Sequence, residues 1–344
     1  TCGGGMAVAA GMADFTFMEE KSAQLFVNAP NALEGNYKAK CDTAAAAFQS
    51  KETGAVDFTG DEASILAQIR TLVSILPANN EEDFSEADCQ DDLNRMCTGI
   101  EGVAGDPVQA LSMISDNHFV MEIKKAYEPS MVTALIRING VTVGCVANRT
   151  ELYEDGNKTE DFESVLSGKG CGKAAEFINF CDAFSIPVLT IANVNGYKAS
   201  LCSEKSIAKA AARLTYAYAN ATVPKVTVVT GKALGSAGLT MGSKSLGSDL
   251  VYAWPNAVIG TMEPDEAVKI MYAKEIESSD DAVALINEKA AEYAKAQSGA
   301  MAAARRGYVD DIIKAEETRQ RLAAAFEMLY TKSEDRPSKK HGTV

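Results

Sequence analysis

Two look-alike segments, far apart in the chain, limit what it can fold into more than any other feature. One is CGGGMAVAAGMADFTFM, Cys2 to Met18; the other is GKALGSAGLTMGSKSLGSDLVYAWP, Gly231 to Pro255. Each begins with small residues, continues as a small-residue helix, reaches an aspartate (Asp14, Asp249) and ends in an aromatic, strand-like run. A side-chain-free turn that enters a helix directs backbone N–H groups at one spot, and such a spot can hold an oxyanion. Two of them in one chain point to a reaction in which two oxygens carry developing negative charge.

The pair belongs to a longer repeat. TGAVDFTGDEASILAQIRTLVSILP (Thr53–Pro77) follows the first segment and RGYVDDIIKAEETRQRLAAAFEML (Arg306–Leu329) follows the second. Gly54, Val56 and Asp57 match Gly307, Val309 and Asp310. An amphipathic helix comes next in each. Its apolar face is Ile65, Ile69, Leu72, Val73 and Leu76 in the first copy, and Leu322, Phe326 and Leu329 in the second. Agreement in order and in chemistry implies a duplicated domain. Residues 1–78 then read as the C-terminal part of a first domain, 79–105 as an acidic linker, 106–330 as a second domain, and 331–344 as a mobile tail carrying Pro337. The first copy lacks what the second spends on Asp106–Lys232. The chain is therefore expected to start within a domain, as a fragment of a longer polypeptide or with its missing strands supplied by a partner.

In the second copy strands are expected at Phe119–Ile123, Met131–Ile138, Val141–Ala147, Pro187–Asn193, Lys225–Thr230 and Leu250–Ala253. Helices are expected at Lys173–Phe184, Ser203–Ala219, Ser236–Met241, Ala282–Ala296 and Glu316–Tyr330. The alternation predicts a mixed α/β domain with right-handed crossovers.

Composition narrows the function. With 344 residues, 47% of them apolar, the chain can build a sizeable core, and a net charge of −14 argues against nucleic acid and against an anionic membrane surface. No run of eighteen apolar residues marks a transmembrane helix, and no signal peptide is legible at residue 1. The eight cysteines form no CxxC. Cys145, Cys171 and Cys181 read as buried free thiols of a cytoplasmic protein.

Side chains suited to catalysis are scarce. His118 precedes a strand and His341 lies in the tail, so a surface role is expected for both and no metal site is expected. Glu151 and Glu154 read as solvated loop residues. Glu263 follows a strand end, where a helix-capping role outweighs a pocket role. No GxxxxGK(S/T) occurs; GKGCGKA at Gly168–Ala174 is one residue short and lacks the hydroxyl. A chemistry that needs backbone oxyanion holes and no protein base is carboxyl transfer from carboxybiotin to an acyl-CoA.

Longer blocks carry a family likeness. GKAAEFINFCDAFSIPVLTIANVNGY (Gly172–Tyr197), KVTVVTGKALGSAGLTMGSKSLGSDLVYAWPNAVIGTM (Lys225–Met262), INGVTVGCVANR (Ile138–Arg149) and ARRGYVDDIIKAEETRQRLAAAFEML (Ala304–Leu329) resemble biotin-dependent acyl-CoA carboxyltransferase subunits. These are of the propionyl- or methylmalonyl-CoA carboxylase beta, or decarboxylase alpha, type. The opening segment resembles that family's CAGGAxY element, and the likeness runs from Thr1 to about Tyr330. It implies an α/β chain of tandem crotonase-like domains, the first incomplete. The first domain would hold the CoA thioester and the second biotin, with the active site between the first domain of one protomer and the second of another. Gly4 and Gly5 would donate to the thioester oxygen, Ser236 and Ala237 to the ureido oxygen of biotin. Gly235, Gly238, Leu239, Gly196 and Tyr197 would surround the cofactor. The implied partners are a biotin carboxyl carrier protein and a biotin carboxylase or membrane decarboxylase subunits, with the chain itself in a homo-oligomer, a hexamer.

Three departures from the family pattern stand out. Gly235-Ser236-Ala237 replaces Gly-Gly-Ala, Val194-Asn195-Gly196-Tyr197 replaces a V-P-G-F run, and Gly238-Leu239 replaces an aromatic-acidic pair. The other readings are the decarboxylase direction, a biotin-independent crotonase-like acyl-CoA enzyme, and a non-catalytic assembly subunit.

Overall fold

The computed structural model describes residues 1–81, 87–154 and 156–335. Its centre is an eight-stranded mixed sheet. Spatial order runs Asp311–Ile312, Leu250–Ala253, Lys225–Leu234, Val188–Val194, Val141–Asn148, Met131–Ile138, Val120–Ile123, with Val258–Gly260 paired to the far end of Lys225–Leu234. Pairing is antiparallel from Val120–Ile123 to Val141–Asn148 and parallel beyond. The helices Gly168–Ala183 and Ile207–Asn220 cross over between parallel strands and cover one face. Pro107–Ile114 and Thr318–Met328 cover the other. Alternate residues of Met131–Ile138 divide between the two faces: Met131 and Leu135 enter one core, Val132, Ala134, Ile136 and Ile138 the other. Both faces are covered, so the strand is mostly apolar, with Thr133 and Arg137 its two polar residues, instead of alternating regularly with polar residues. Caps fix the helix starts: the Ser167 hydroxyl accepts from Gly170 N–H, and Asp106 accepts from Val108 N–H beside Pro107 at the first helical position.

The repeat read from sequence recurs in the coordinates. Gly4 and Gly235 have φ of +60° and +57°, and each precedes or opens a short helix, Gly5–Ala10 and Gly235–Thr240. Ahead of each turn a strand pairs in parallel with a later one, Cys2–Gly3 with Leu25–Phe26 and Lys225–Leu234 with Val258–Gly260. Asp57 and Thr16 exchange two bonds, Thr16 N–H to the Asp57 carboxylate at 2.7 Å and Asp57 N–H to Thr16 O at 2.9 Å. Asp310 and Val251 repeat this at 2.7 and 2.8 Å. Left-handed glycines, Gly54 and Gly307, precede both aspartates.

Several expectations are corrected. On the first-copy helix, Glu62–Ile75, only Leu72 and Ile75 are buried, and Ile69 and Val73 of the expected apolar face are exposed. The last turn of the helix reaches the central sheet, where Ser74 O accepts from Arg137 and Ile75 O from Thr142. Glu151 and Glu154 lie on a hairpin, Glu151–Glu154 with Asn157–Asp161, not in loops. They pair with Lys158 at 3.0 Å and Lys125 at 3.7 Å. The stretch read as a linker is not loose where it is described: Cys97 and Ile100 are fully buried, and Arg95 donates to Met113 O and Ser115 O. The start of the tail is pinned by Lys332, which bonds Val223 O and Asp249. Residues 336–344, with Pro337 and His341, lie outside the described residues, as do 82–86 of the acidic stretch. All eight cysteines are free, and Cys145, Cys171 and Cys181 are buried. Among the described residues no helix is long and apolar enough to cross a membrane.

Candidate functional site

The second glycine turn opens onto a cavity of about 550 Å³. The strand Lys225–Leu234 delivers the chain to it, and Gly235 turns the backbone into the helix Gly235–Thr240. Only glycine suits that position: φ is +57°, and a Cβ would stand 3.1 Å from Thr261 O. Gly238 meets a different constraint. A Cβ there would lie 2.5 Å from the Ala233 carbonyl carbon, so the bare position lets the helix sit directly on the strand end. The first amides of a helix have no partner within it. Those of Ser236 and Ala237 therefore point away from the helix body. Ser236 is exposed at the cavity, whereas the Ala237 side chain is buried in the core and anchors the turn.

Of the residues expected around a cofactor, Gly235, Gly238 and Leu239 line the cavity with Ser236. Gly196 and Tyr197 do not. They form a short strand beside Val165–Leu166, and the Tyr197 hydroxyl bonds Thr240 Oγ1 at 2.9 Å, which braces the helix from its far side. Sequence reasoning missed Lys244, Arg306 and Tyr308, which also line the cavity. Lys244 is held by Asp310 at 2.8 Å, and Arg306 donates to Gln297 O at 2.7 Å and to the Gln297 side chain. Arg306 and Tyr308 flank Gly307 of the repeat, the one signal that marked them. Glu263 occupies the N-cap position of Pro264–Met271 but makes no side-chain cap bond; it pairs with Lys232 instead. His118 is exposed, its Nδ1 2.9 Å from Ser112 O.

The first glycine turn differs in one respect. Gly4 N–H is spent on Phe26 O at 2.9 Å, extending the strand pair. The three-dimensional repeat places Gly4 with Gly235, Gly5 with Ser236 and Met6 with Ala237. The donors at this helix start are thus those of Gly5 and Met6, one residue on from the pair Gly4 and Gly5 expected from sequence. Gly5 and Met6 are exposed, and no atom lies within 4 Å of a Cβ built on Gly4 or Gly5. Neither lines the Ser236 cavity. The buried groups with shifted titration lie elsewhere: desolvation raises Asp57 to about 6 and lowers Lys173 to about 7.

Comparison with known proteins follows the same lines. The family described as carboxyl transferase domain matches residues 1–344. The chain is 37% identical over 355 residues to the methylmalonyl-CoA decarboxylase subunit alpha of Propionigenium modestum, covering 100% of this chain and 67% of that one. It is 36% identical to the methylmalonyl-CoA carboxyltransferase 12S subunit of Propionibacterium freudenreichii subsp. shermanii, covering 99% of this chain and 65% of the relative. The crystal structure of a transcarboxylase 12S hexamer with methylmalonyl-coenzyme A and methylmalonic acid bound superposes with a TM-score of 0.89 at 34% identity, over 99% of this chain and 66% of that one. The chain thus spans about two thirds of the length of these relatives. It belongs to the carboxyl transferase domain family, and its mixed α/β architecture is the crotonase-like fold of the 12S subunit.

Proposed function

We propose that this member of the carboxyl transferase family moves a carboxyl group between a carboxybiotin and an acyl-CoA of the propionyl or methylmalonyl type. The observation that carries the reading is the duplicated glycine turn whose second copy opens onto the Ser236 cavity. Ala192, Val229, Ile259 and Leu239 give that cavity apolar walls suited to the thioether ring fused to biotin's ureido ring, Ser236 lines it, and in this reading the amides of Ser236 and of the adjoining Ala237 donate to the ureido oxygen. Carboxybiotin, when bound, supplies the carboxyl group. In this reading the amides of Gly5 and Met6 donate to the thioester oxygen as the acyl α-carbon gains charge. Each well-placed donor of this kind contributes about 2.7–4 kcal/mol to lowering the barrier. The open surface at Gly5 fits a site closed by a second protomer, and the oligomer would work with a biotin carrier protein and a biotin carboxylase. Eight free thiols suit a cytoplasmic location. The likeness to a decarboxylase alpha subunit favours a second direction, from a malonyl-type thioester onto biotin with membrane decarboxylase subunits as partners.

The test is a transfer assay with free biotin. Propionyl-, acetyl-, malonyl-, methylmalonyl- and glutaconyl-CoA are run side by side in both directions. Transfer on at least one of them, lost in Ala237→Pro, is the expected result. Acyl-CoA hydration or hydrolysis without biotin, and no transfer with it, would sink the reading.

A further inference from the structure

The chain carries a net charge of −14, yet one groove on it is basic. It runs between the helices Gly168–Ala183 and Ile207–Asn220, encloses about 840 Å³, and shares no lining residue with the Ser236 cavity. Lys209 and Arg213 stand along one wall, one helical turn (~6 Å) apart on Ile207–Asn220, and Lys205 joins them from the turn that precedes this helix. All three are exposed. Of the other lysines of the groove, Lys124 pairs with Glu176 at 2.6 Å and Lys169 with Glu52 at 3.7 Å, and buried Lys173 donates to Lys124 O and Tyr127 O. For Lys205, Lys209 and Arg213 no carboxylate is within ion-pair reach among the described residues. Like charges at the Lys209–Arg213 spacing destabilise a helix, and with Lys205 beside them the cluster in an acidic protein calls for an external anion.

The opposite wall is built to let one approach. Nothing lies within 4 Å of a Cβ built on Gly172, so the helix presents bare backbone there. This is the GKGCGK stretch that resembles a phosphate loop without completing one. Its first amides serve the helix cap, since Gly170 N–H bonds Ser167 Oγ and Cys171 N–H bonds Ser167 O. The phosphate-loop geometry is therefore absent, and the stretch contributes a glycine floor facing the three cations. The groove also communicates with the proposed active site. Thr215, two residues beyond Arg213 on the same helix, bonds Thr240 at the end of the Gly235–Thr240 helix at 3.3 Å.

We propose that this groove binds a small ligand carrying two or more closely spaced phosphates, seated against Lys205, Lys209 and Arg213. A concave site between two helices suits a small molecule, and a short row of cations matches linked phosphates. The phosphates have two possible sources, the pyrophosphate arm of a CoA-type molecule or a free nucleoside polyphosphate. The inference goes beyond the carboxyl-transfer reading and stands or falls separately from it, because its readout is binding.

Isothermal titration calorimetry of the whole chain with inorganic pyrophosphate and with ADP tests it. Saturable binding that weakens as salt rises is expected. Lys209→Glu should weaken it by roughly tenfold or more, and Lys209→Gln by less. Lys274→Glu, the same charge change on the remote helix Ala273–Glu277, should leave it unchanged. Circular dichroism confirms that each variant is folded. Competition by CoA assigns the groove to CoA phosphates; independent binding of CoA assigns it to a separate nucleotide. No saturable binding of either probe overturns the proposal, as does an equal loss in Lys274→Glu.

Discussion

At Gly235 a single torsion sets the direction of the donors that follow. Any side chain there strains a φ of +57° and presses on Thr261 O, so Gly235→Ala is expected to cost about 1–3 kcal/mol of stability. Thermal melts read that cost, and an unchanged melting temperature would contradict the backbone assignment. Ala237 tests the amides directly. Proline is tolerated in a first helical turn but has no N–H to give. Ala237→Pro should lower kcat by roughly 10²–10³ in the transfer assay, and a folded variant with wild-type rate removes that donor from the mechanism. Asp57 makes a separate prediction in pH. Burial lifts its carboxyl from 3.8 to about 6 against the pull of Lys124, 4.0 Å away, and of Thr16 N–H. The folded chain holds this proton more tightly than the unfolded chain. The stabilising contribution is therefore complete below pH 3.8 and is lost as pH rises through about 6. Asp57→Asn should flatten that fall and stabilise the chain at neutral pH by up to about 3 kcal/mol, read from unfolding curves across the range. Lys173, lowered to about 7 by burial, acts in a different window, adding stability as pH rises above 7.

Among the elements, the helix Gly235–Thr240 is held from two sides. The Ala233 backbone lies beneath Gly238, and Tyr197 bonds Thr240 from behind. Gly238→Ala places a Cβ 2.5 Å from the Ala233 carbonyl carbon, so the helix must lift. Transfer should then fall by more than the loss of folded protein explains; a rate loss fully recovered by correcting for stability would make Gly238 a packing residue only. The strands and crossover helices of the second copy were legible because each buried face repeats at its own period. Where no apolar period exists the sequence misled. The hairpin Glu151–Glu154 with Asn157–Asp161 carries Leu152 and Tyr153 among polar residues and no apolar period, is held by ladder bonds and the Lys158 pair with Glu151, and so read as loop. The first-copy helix shows the converse. Ile69 and Val73 follow the helical period yet remain exposed, because periodicity states which residues share a face and not what covers it.

Over the whole molecule, two buried arginines join stretches distant in sequence. Arg319 is fully buried on the C-terminal helix and donates to Ile114 O at 2.6 Å and Asp116 at 2.7 Å. Arg149 joins Asp106 and Glu122, both at 3.1 Å. Arg319→Leu would strand the Asp116 carboxylate in the core and is expected to destabilise the chain by about 3–5 kcal/mol, measured by denaturant unfolding. A loss below 1 kcal/mol would show that the network is dispensable. The stretch 91–116 is thereby tied to the end of the chain, which is why a run that reads as acidic linker packs as part of the second-copy core.

The order of amino acids alone determines the duplication, the mixed α/β class, the two glycine turns and the family likeness, because each depends on residues near one another in the chain or on a pattern repeated along it. Tertiary structure decided the rest. Gly4 N–H is consumed by Phe26 O, Lys244, Arg306 and Tyr308 gather at the Ser236 cavity, Tyr197 braces the helix from outside it, and three cations without an ion pair among the described residues line a groove with Gly168 and Gly172. The reason is physical. Which amide is free and which charge is unpaired depends on what arrives from elsewhere in the chain, and long-range contact leaves no period in the sequence.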